Sequence, residues 1–183
     1  MAVDRTRTLR GAAAGAAAAT VWAAQQPLDK RLFGSSYDDV ELLGKLFTRG
    51  RWWAPLGLVM HIGNGAIFGA VYARMAAAPA LERVPAAGRG VVAALAEHVG
   101  LWPAGRLADR FHPARSELPR LTGNRRAFAQ ATWRHALFGA VLGELSSRLT
   151  PAVPTVVVPE GTFSASSNGH GSLEHAGLGQ PAS

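Results

Sequence analysis

Residues 52–73 read WWAPLGLVMHIGNGAIFGAVYA, a run without Asp, Glu, Lys or Arg. A membrane core about 30 Å thick is crossed by about 20 helical residues, so this run is long enough to span it. Two tryptophans open the run and Tyr72 closes it, which puts amphipathic rings where a spanning helix meets the headgroups. Gly65 and Gly69 form a small-residue face suited to close helix packing. The run predicts a transmembrane helix over residues 53–74.

The composition limits the classes of function. The 183 residues include no cysteine, which excludes disulfides, thiolate metal sites and cysteine nucleophiles. A formal net charge of +7 raises the question of a nucleic-acid partner, but only Lys30 and Lys45 are lysines and the arginines are spread between apolar segments. That distribution is typical of arginines that flank membrane helices. We therefore expect the lipid bilayer as a partner, and no nucleic acid.

Three weaker apolar segments accompany this helix. The four segments together predict an all-α fold, in which they form a four-helix transmembrane bundle within residues 1–150. The three segments lie at about residues 10–27, 88–104 and 127–149. Val40 and Leu43 recur at helical spacing after Ser36, a residue whose position resembles the start of a capping box. They predict a short amphipathic helix that lies in the membrane interface or in a solvated loop. Residues 151–183, rich in Ser, Gly and Pro, predict a disordered tail.

The first apolar segment allows two interpretations. It follows a basic leader and contains small residues around Ala23, as in a secretory signal peptide that is cleaved. It also contains Gly11 and Gly15, a small-residue pair surrounded by alanines that suits packing inside a bundle. The second interpretation, a retained helix, is favoured.

Two sequence matches suggest an internal repeat. Residues 66–71, AIFGAV, recur as ALFGAV at residues 136–141, and Arg-Gly opens both the first and the third apolar segment at Gly11 and Gly90. Two helical hairpins with the same topology would account for both matches. They would have the same orientation in the membrane and so would form a parallel repeat. Chance similarity between helices rich in alanine and glycine is the alternative.

Ionisable residues fall at one depth when the four segments are arranged up and down. His61, Glu97 and Arg134 each lie seven residues from the same membrane face, about 10 Å deep at 1.5 Å per residue. Because an uncompensated charge at that depth is costly, we expect Glu97 to pair with Arg134. The candidate buried polar cluster comprises His61, Asn64, Glu97, His98, Arg134 and His135. The candidate helix-packing residues are Gly11, Gly15, Gly65, Gly69, Gly139 and Gly143.

Such a layer has several interpretations. It is a network that sets the helix register, or part of an interaction module, or a small permeation or proton-handling unit. The alternatives are a secreted helical protein with a cleaved leader and a membrane redox protein that binds haem or a metal through its histidines. Neither a Glu-x-x-His repeat nor an HExxH motif occurs. We therefore predict no cofactor and no catalytic residues, and we disfavour an enzyme; a homo-oligomer is a further partner prediction.

The marked positions resemble those of small bacterial membrane proteins of the YagU-like inner-membrane type. They are His61 and Asn64 in the second segment, Glu97-His98 before Trp102-Pro103 in the third, and Trp133-Arg134-His135 in the fourth. The resemblance extends over residues 10–149. It implies a multi-pass protein of the bacterial plasma membrane and transfers no catalytic residue.

Overall fold

The computed structural model describes residues 5–75 and 83–150, and within these ranges every regular element is a helix. The prediction of an all-α fold is therefore confirmed for the described residues. The predicted tail over residues 151–183 lies outside them. In order, the elements are α1 (Arg5–Phe33), α2 (Asp39–Lys45), α3 (Trp53–Met75), α4 (Ala86–Leu101), a 3-10 turn (Trp102–Ala104), α5 (Gly105–Phe111) and α6 (Arg125–Leu149).

The four long helices form two pairs. α1 packs along α3, and α4 packs along α6. α1 also packs against α6, which joins the two pairs, and the short α2 lies on α3. α3 and α4 make at most marginal contact with each other.

Glycines allow the paired helices to approach until their backbones touch. A Cβ atom on Gly15 of α1 would lie 2.9 Å from the carbonyl carbon of Gly65 and from the Cα of Gly69 on α3. A Cβ atom on Gly139 of α6 would lie 2.7 Å from the Cα of Val91 on α4. All six glycines predicted to pack helices lie at these two crossings. The close approach is the packing mode of helices whose interfaces are built from small residues.

One glycine contact recurs at equivalent positions of the two crossings. Gly11 meets the backbone of Gly69 in the first pair, and Gly90 meets the backbone of Gly139 in the second. Gly69 and Gly139 are the equivalent glycines of the AIFGAV and ALFGAV segments. The internal repeat is thus a repeat of packing as well as of sequence, while descent by duplication stays a hypothesis.

The helix ends differ from the predicted ones for local reasons. α1 continues past Pro27, where the apolar segment was expected to end, because Asp29 in its last turns is buried against α6. The third predicted helix ends at Leu101 and tightens into a 3-10 turn, since Pro103 has no amide hydrogen to donate. The N-cap of α2 is Asp38, whose side chain accepts from the amide of Glu41; the predicted capping box at Ser36 was wrong.

The interior of the bundle combines an apolar core, which includes Trp22, Phe138 and Leu142, with several buried polar side chains. The largest fully buried side chains include Arg134, Gln130 and Asp29, together with Leu142. Many large apolar side chains are exposed on the four long helices. By length and apolarity, α3 is the one helix among the described residues that qualifies to cross a membrane, and only 33% of its most apolar window is buried. That low burial differs from a soluble core helix, but a single qualifying helix leaves the four-span bundle a prediction.

Candidate functional site

A pocket of about 400 Å³ lies in the middle of the bundle, where all the described helices contribute to its wall. Its volume is at the small end of the range for small-molecule sites. The lining is mainly apolar and aromatic, with Phe68 of α3 and Phe138 of α6 in edge-to-face contact at 5.5 Å. The polar lining residues are Tyr37, Asp39, His61, Asn64, Glu97, His98 and His135.

Exposed lining residues of the pocket occur on α3 and α4, two long helices that make at most marginal contact with each other, and we take the gap between them as the mouth. Asn64 on α3 is exposed, the side chain of Glu97 on α4 is one-third exposed, and both line the pocket. Leu101 lines it further along α4 and is also exposed. The opening is therefore lateral, through the side of the bundle.

Arg134 lies beside this pocket in a network that is fully buried at its centre. Its guanidinium donates twice to Asp29 of α1, at 2.6 and 2.7 Å, and once to Asp39 of α2 at 2.7 Å. A fourth bond, at 3.2 Å, reaches the carbonyl of Tyr37. The bidentate pairing with Asp29 matches the planar fork of a guanidinium to the two oxygens of a carboxylate. Two helices, α1 and α2, and the connection between them are thereby joined to α6 through one side chain.

The Asp29 carboxylate is held by amides as well as by arginine. Gln130, one turn before Arg134, donates to Asp29 at 2.6 Å, and Gln25, one turn before Asp29, also donates to it. Tyr37 donates its hydroxyl to Asp39 at 2.5 Å. Burial, with the nearby Asp39 charge, raises the pKa of Tyr37 well above its ordinary value, so the phenol stays neutral as a donor. The network is buried and densely hydrogen-bonded, although Oε1 of Gln130 has no partner among the described residues, and such a network is suited to holding helices in register.

Glu97 and His135 form a second polar pair that faces the pocket. Nε2 of His135 lies 3.0 Å from Oε2 of Glu97, and Nδ1 lies 2.7 Å from the carbonyl oxygen of Ala131. A carbonyl oxygen only accepts, so Nδ1 carries a hydrogen. A carboxylate and a bare ring nitrogen would both be acceptors, so one further proton lies between Nε2 and Oε2. The pair therefore holds one exchangeable proton at the pocket wall.

His98 lies against this pair. Its ring stacks on His135 with centroids 4.5 Å apart, and its Nε2 lies 3.0 Å from Oγ1 of Thr132. Because that hydroxyl already donates to the carbonyl of Phe128 at 2.8 Å, it accepts from His98. The Nε2 of His98 thus carries the hydrogen.

The third histidine, His61, is buried on α3. Its imidazole meets the indole of Trp22 edge-on, at a centroid distance of 5.1 Å. No group of three His, Cys, Asp or Glu side chains in residues 5–75 and 83–150 is arranged to hold a metal ion. The three histidines line one pocket without converging on one point.

The end of the pocket beyond α4 is covered by α5 and the loop that follows it. Asp109 of α5 accepts from the amides of Leu121 and Thr122, both at 2.8 Å. Burial disfavours the charged form, but these amides and the Thr122 side chain outweigh it and lower the pKa of Asp109 below its usual value. The charged carboxylate thereby fixes Leu121 at the pocket wall.

The predicted polar cluster is partly brought together. His61, Asn64, Glu97, His98 and His135 all line the pocket, and Arg134 is buried beside it. Two expectations were wrong: Glu97 pairs with His135 and not with Arg134, and Asn64 is exposed at the mouth and not buried. The predicted pairing failed because α1 and α2 supply nearer carboxylates to Arg134 than α4 does.

Sequence reasoning missed the partners of Arg134. Neither Asp29 nor Asp39 is among the predicted site residues. A signal was present in the spacing, since Gln25–Asp29 and Gln130–Arg134 are each four residues apart and so share a helix face. On each of the two helices, a glutamine amide therefore lies next to the charged side chain. Such amides supply the additional hydrogen bonds that a buried ion pair needs.

Comparison of the chain with protein-family models, characterised proteins and solved structures finds no match. The resemblance to YagU-like proteins stays a prediction, and function is inferred from the site geometry.

Proposed function

We propose that the protein is a multi-pass membrane protein whose central pocket exchanges protons through the Glu97–His135 pair. The membrane assignment is supported by the distribution of side chains, because the interior holds Arg134 and Asp29 while each long helix exposes large apolar residues. In water that arrangement would expose the groups that drive folding, whereas in lipid it buries the polar groups. The exposed residues include Leu9, Val21, Leu28, Leu32, Leu58, Val59, Ile67, Val71, Met75, Val92, Val99 and Leu149.

The first experiment tests membrane integration. We expect that the full-length chain stays in the membrane pellet after alkaline carbonate extraction, because lipid covers its exposed apolar residues. A peripheral membrane protein in the same preparation serves as the control and should appear in the supernatant. Release of the chain together with that control would contradict the membrane assignment.

The proton-handling role is carried by one observation, the proton held between His135 Nε2 and Glu97 Oε2. Ionisable groups inside membrane bundles commonly mark proton or ion paths. Glu97 is one-third exposed at the mouth, and His98 stacks on His135 farther along the wall. A proton at the pair is thus within reach of the lateral opening and next to a second imidazole.

The second experiment measures this role. Purified protein is reconstituted into vesicles containing a pH-sensitive dye, and a potassium diffusion potential drives protons inward. We expect flux above that of protein-free vesicles, and we expect Glu97→Gln to lose most of it, because an amide cannot take up the proton. Glu144→Gln is the matched control: Glu144 is exposed and pairs with Arg148 on the surface of α6, so its flux should equal that of the wild type.

Either of two outcomes would contradict the proton-handling role: wild-type flux equal to that of protein-free vesicles, or equal losses in the two variants. The other candidate role, a purely structural polar interior, is favoured by the buried and densely hydrogen-bonded Arg134 network. It predicts that Glu97→Gln changes thermal stability and no transport signal. The cleaved-leader alternative is opposed by α1, whose Trp22 lies in the pocket wall and whose Gly11 and Gly15 meet α3.

A further inference from the structure

The wall of the central pocket contains acidic side chains and no basic ones other than histidines. Asp39 of α2 and Glu97 of α4 line it, whereas none of the 19 lysines and arginines does, and all 19 lie within the described ranges. Both acidic side chains keep accessible surface, 15% of it for Asp39 and 34% for Glu97. A molecule in the pocket therefore meets carboxylates and meets no ammonium or guanidinium group.

The buried network beside the pocket adds to this negative character. It contains one guanidinium, that of Arg134, and two carboxylates, those of Asp29 and Asp39. Because the Arg134 side chain has no exposed surface, an anion in the pocket cannot pair with it. The network thus holds one carboxylate more than it has guanidinium groups, and its accessible carboxylate, Asp39, is the one that lines the pocket.

Aromatic rings form much of the remaining wall. The aromatic lining residues are Trp22, Tyr37, Phe68, Trp102 and Phe138. The face of such a ring attracts a cation through the ring quadrupole. A hard metal cation instead needs six or more oxygen ligands, and an apolar wall does not supply them. Carboxylates and aromatic rings together suit a cation that carries its charge on an apolar body.

We propose that the pocket binds a small organic cation, such as a quaternary ammonium with one aromatic ring, in place of the proton held between Glu97 and His135. The inference rests on the proton-handling pair proposed above. With its proton the pair is neutral as a whole; when the proton leaves for bulk water, the carboxylate charge remains and the bound cation compensates it. The volume of about 400 Å³ accommodates one ring with short substituents.

Other titratable groups surround the pair and are possible sources of a released proton. Those that share the pocket wall with it are Tyr37, Asp39, His61 and His98. His98 is in direct contact, with its ring stacked on that of His135 at 4.5 Å. On the side of α1 the pair meets the indole of Trp22, whose centroid is 4.6 Å from that of His135 and which does not titrate. Release from the pair must depend on Glu97, whereas release from a neighbouring histidine would persist without it.

The first test measures the binding of labelled phenyltrimethylammonium to purified protein in uncharged detergent micelles. We expect saturable binding that excess tert-butylbenzene, which has the same shape and no charge, does not displace. Glu97→Gln should weaken binding about tenfold or more through loss of the carboxylate charge, and Glu144→Gln, at a surface ion pair, should not. Phe68→Leu should weaken it about threefold through loss of the ring, while Phe47→Leu, which is exposed and outside the pocket, should not.

The second test counts protons. Calorimetry in buffers of different ionisation enthalpy gives the number of protons released for each cation bound, and phenyltrimethylammonium has none of its own to lose. We expect about one proton from the wild type near neutral pH and much less from Glu97→Gln. Because binding releases a proton, the affinity of the wild type should fall as the pH falls.

Thermal denaturation shows whether the pocket variants are folded; if they are not, tert-butylbenzene displacement and proton release on the wild type decide. Displacement by tert-butylbenzene, unchanged affinity in either folded pocket variant, or binding without proton release would each overturn the proposal. Undiminished release from Glu97→Gln would also overturn it, since a neighbouring histidine would be the source. Proton flux in vesicles without cation binding would overturn this inference alone, and cation binding with proton release but without flux would overturn the proposed function alone.

Discussion

Replacing Arg134 with glutamine is expected to lower the free energy of unfolding by about 3–5 kcal/mol, the range for breaking a buried ion pair. The substitution removes three bonds to carboxylates and leaves Asp29, which has no exposed side-chain surface, without its counter-ion. Denaturant titration of the purified protein in detergent micelles, followed by circular dichroism, measures the change. Arg148→Gln is the control, because Arg148 pairs with Glu144 at the surface and such pairs contribute little.

A double-mutant cycle identifies the partner. Asp29→Asn and Arg134→Gln should each be strongly destabilising, and the double variant should lose less than their sum, because each removes the same contact. Glu97→Gln combined with Arg134→Gln should be close to additive, since Glu97 bonds to His135. Additivity for Asp29 with Arg134, or strong coupling for Glu97 with Arg134, would contradict the observed network.

The second large effect is expected at the helix crossings. Gly69→Ala places a Cβ atom 2.9 Å from the backbone N and Cα of Gly15 and against the carbonyl of Gly11. Because backbone cannot rotate away as a side chain can, the two helices must separate, and we expect a loss of about 2–3 kcal/mol. Gly63→Ala in the same helix meets nothing within 4 Å, and it should be neutral or stabilising by up to about 1 kcal/mol through helix propensity.

The same comparison applies to the second helix pair. Gly139→Ala should destabilise as strongly as Gly69→Ala, because its Cβ would lie 2.6–2.7 Å from backbone atoms of Gly90 and Val91. Gly100→Ala, which meets nothing within 4 Å, is the control on α4. Equal melting temperatures for Gly69→Ala and Gly63→Ala would contradict the close crossing in the first pair, and equality of Gly139→Ala and Gly100→Ala would do so in the second.

Elements of the fold that depend on local spacing could be predicted. The apolar period and length of residues 53–74 indicate α3 within a residue at each end, and the repeated Phe-Gly-Ala segments lie at equivalent crossings because glycine is needed wherever two backbones meet. The helix ends at Phe33 and Leu101 could not be predicted from local spacing. They depend on what Asp29 contacts and on how Pro103 fits the next turn.

The candidate site likewise has features that the sequence predicts and features that only tertiary packing decides. Depth along a helix follows from residue number, because each residue adds 1.5 Å, so the sequence predicts that His61, His98 and His135 lie at one level. The structure shows that all three line one pocket. Which groups touch at that level depends on the rotation and lateral position of each helix. Tertiary packing alone decided that α1 and α2, and not α4, supply the carboxylates of Arg134, and that Glu97 is left to share a proton with His135. The physical reason is that ion pairs and hydrogen bonds require separations of about 3 Å, which residue number does not specify across different helices.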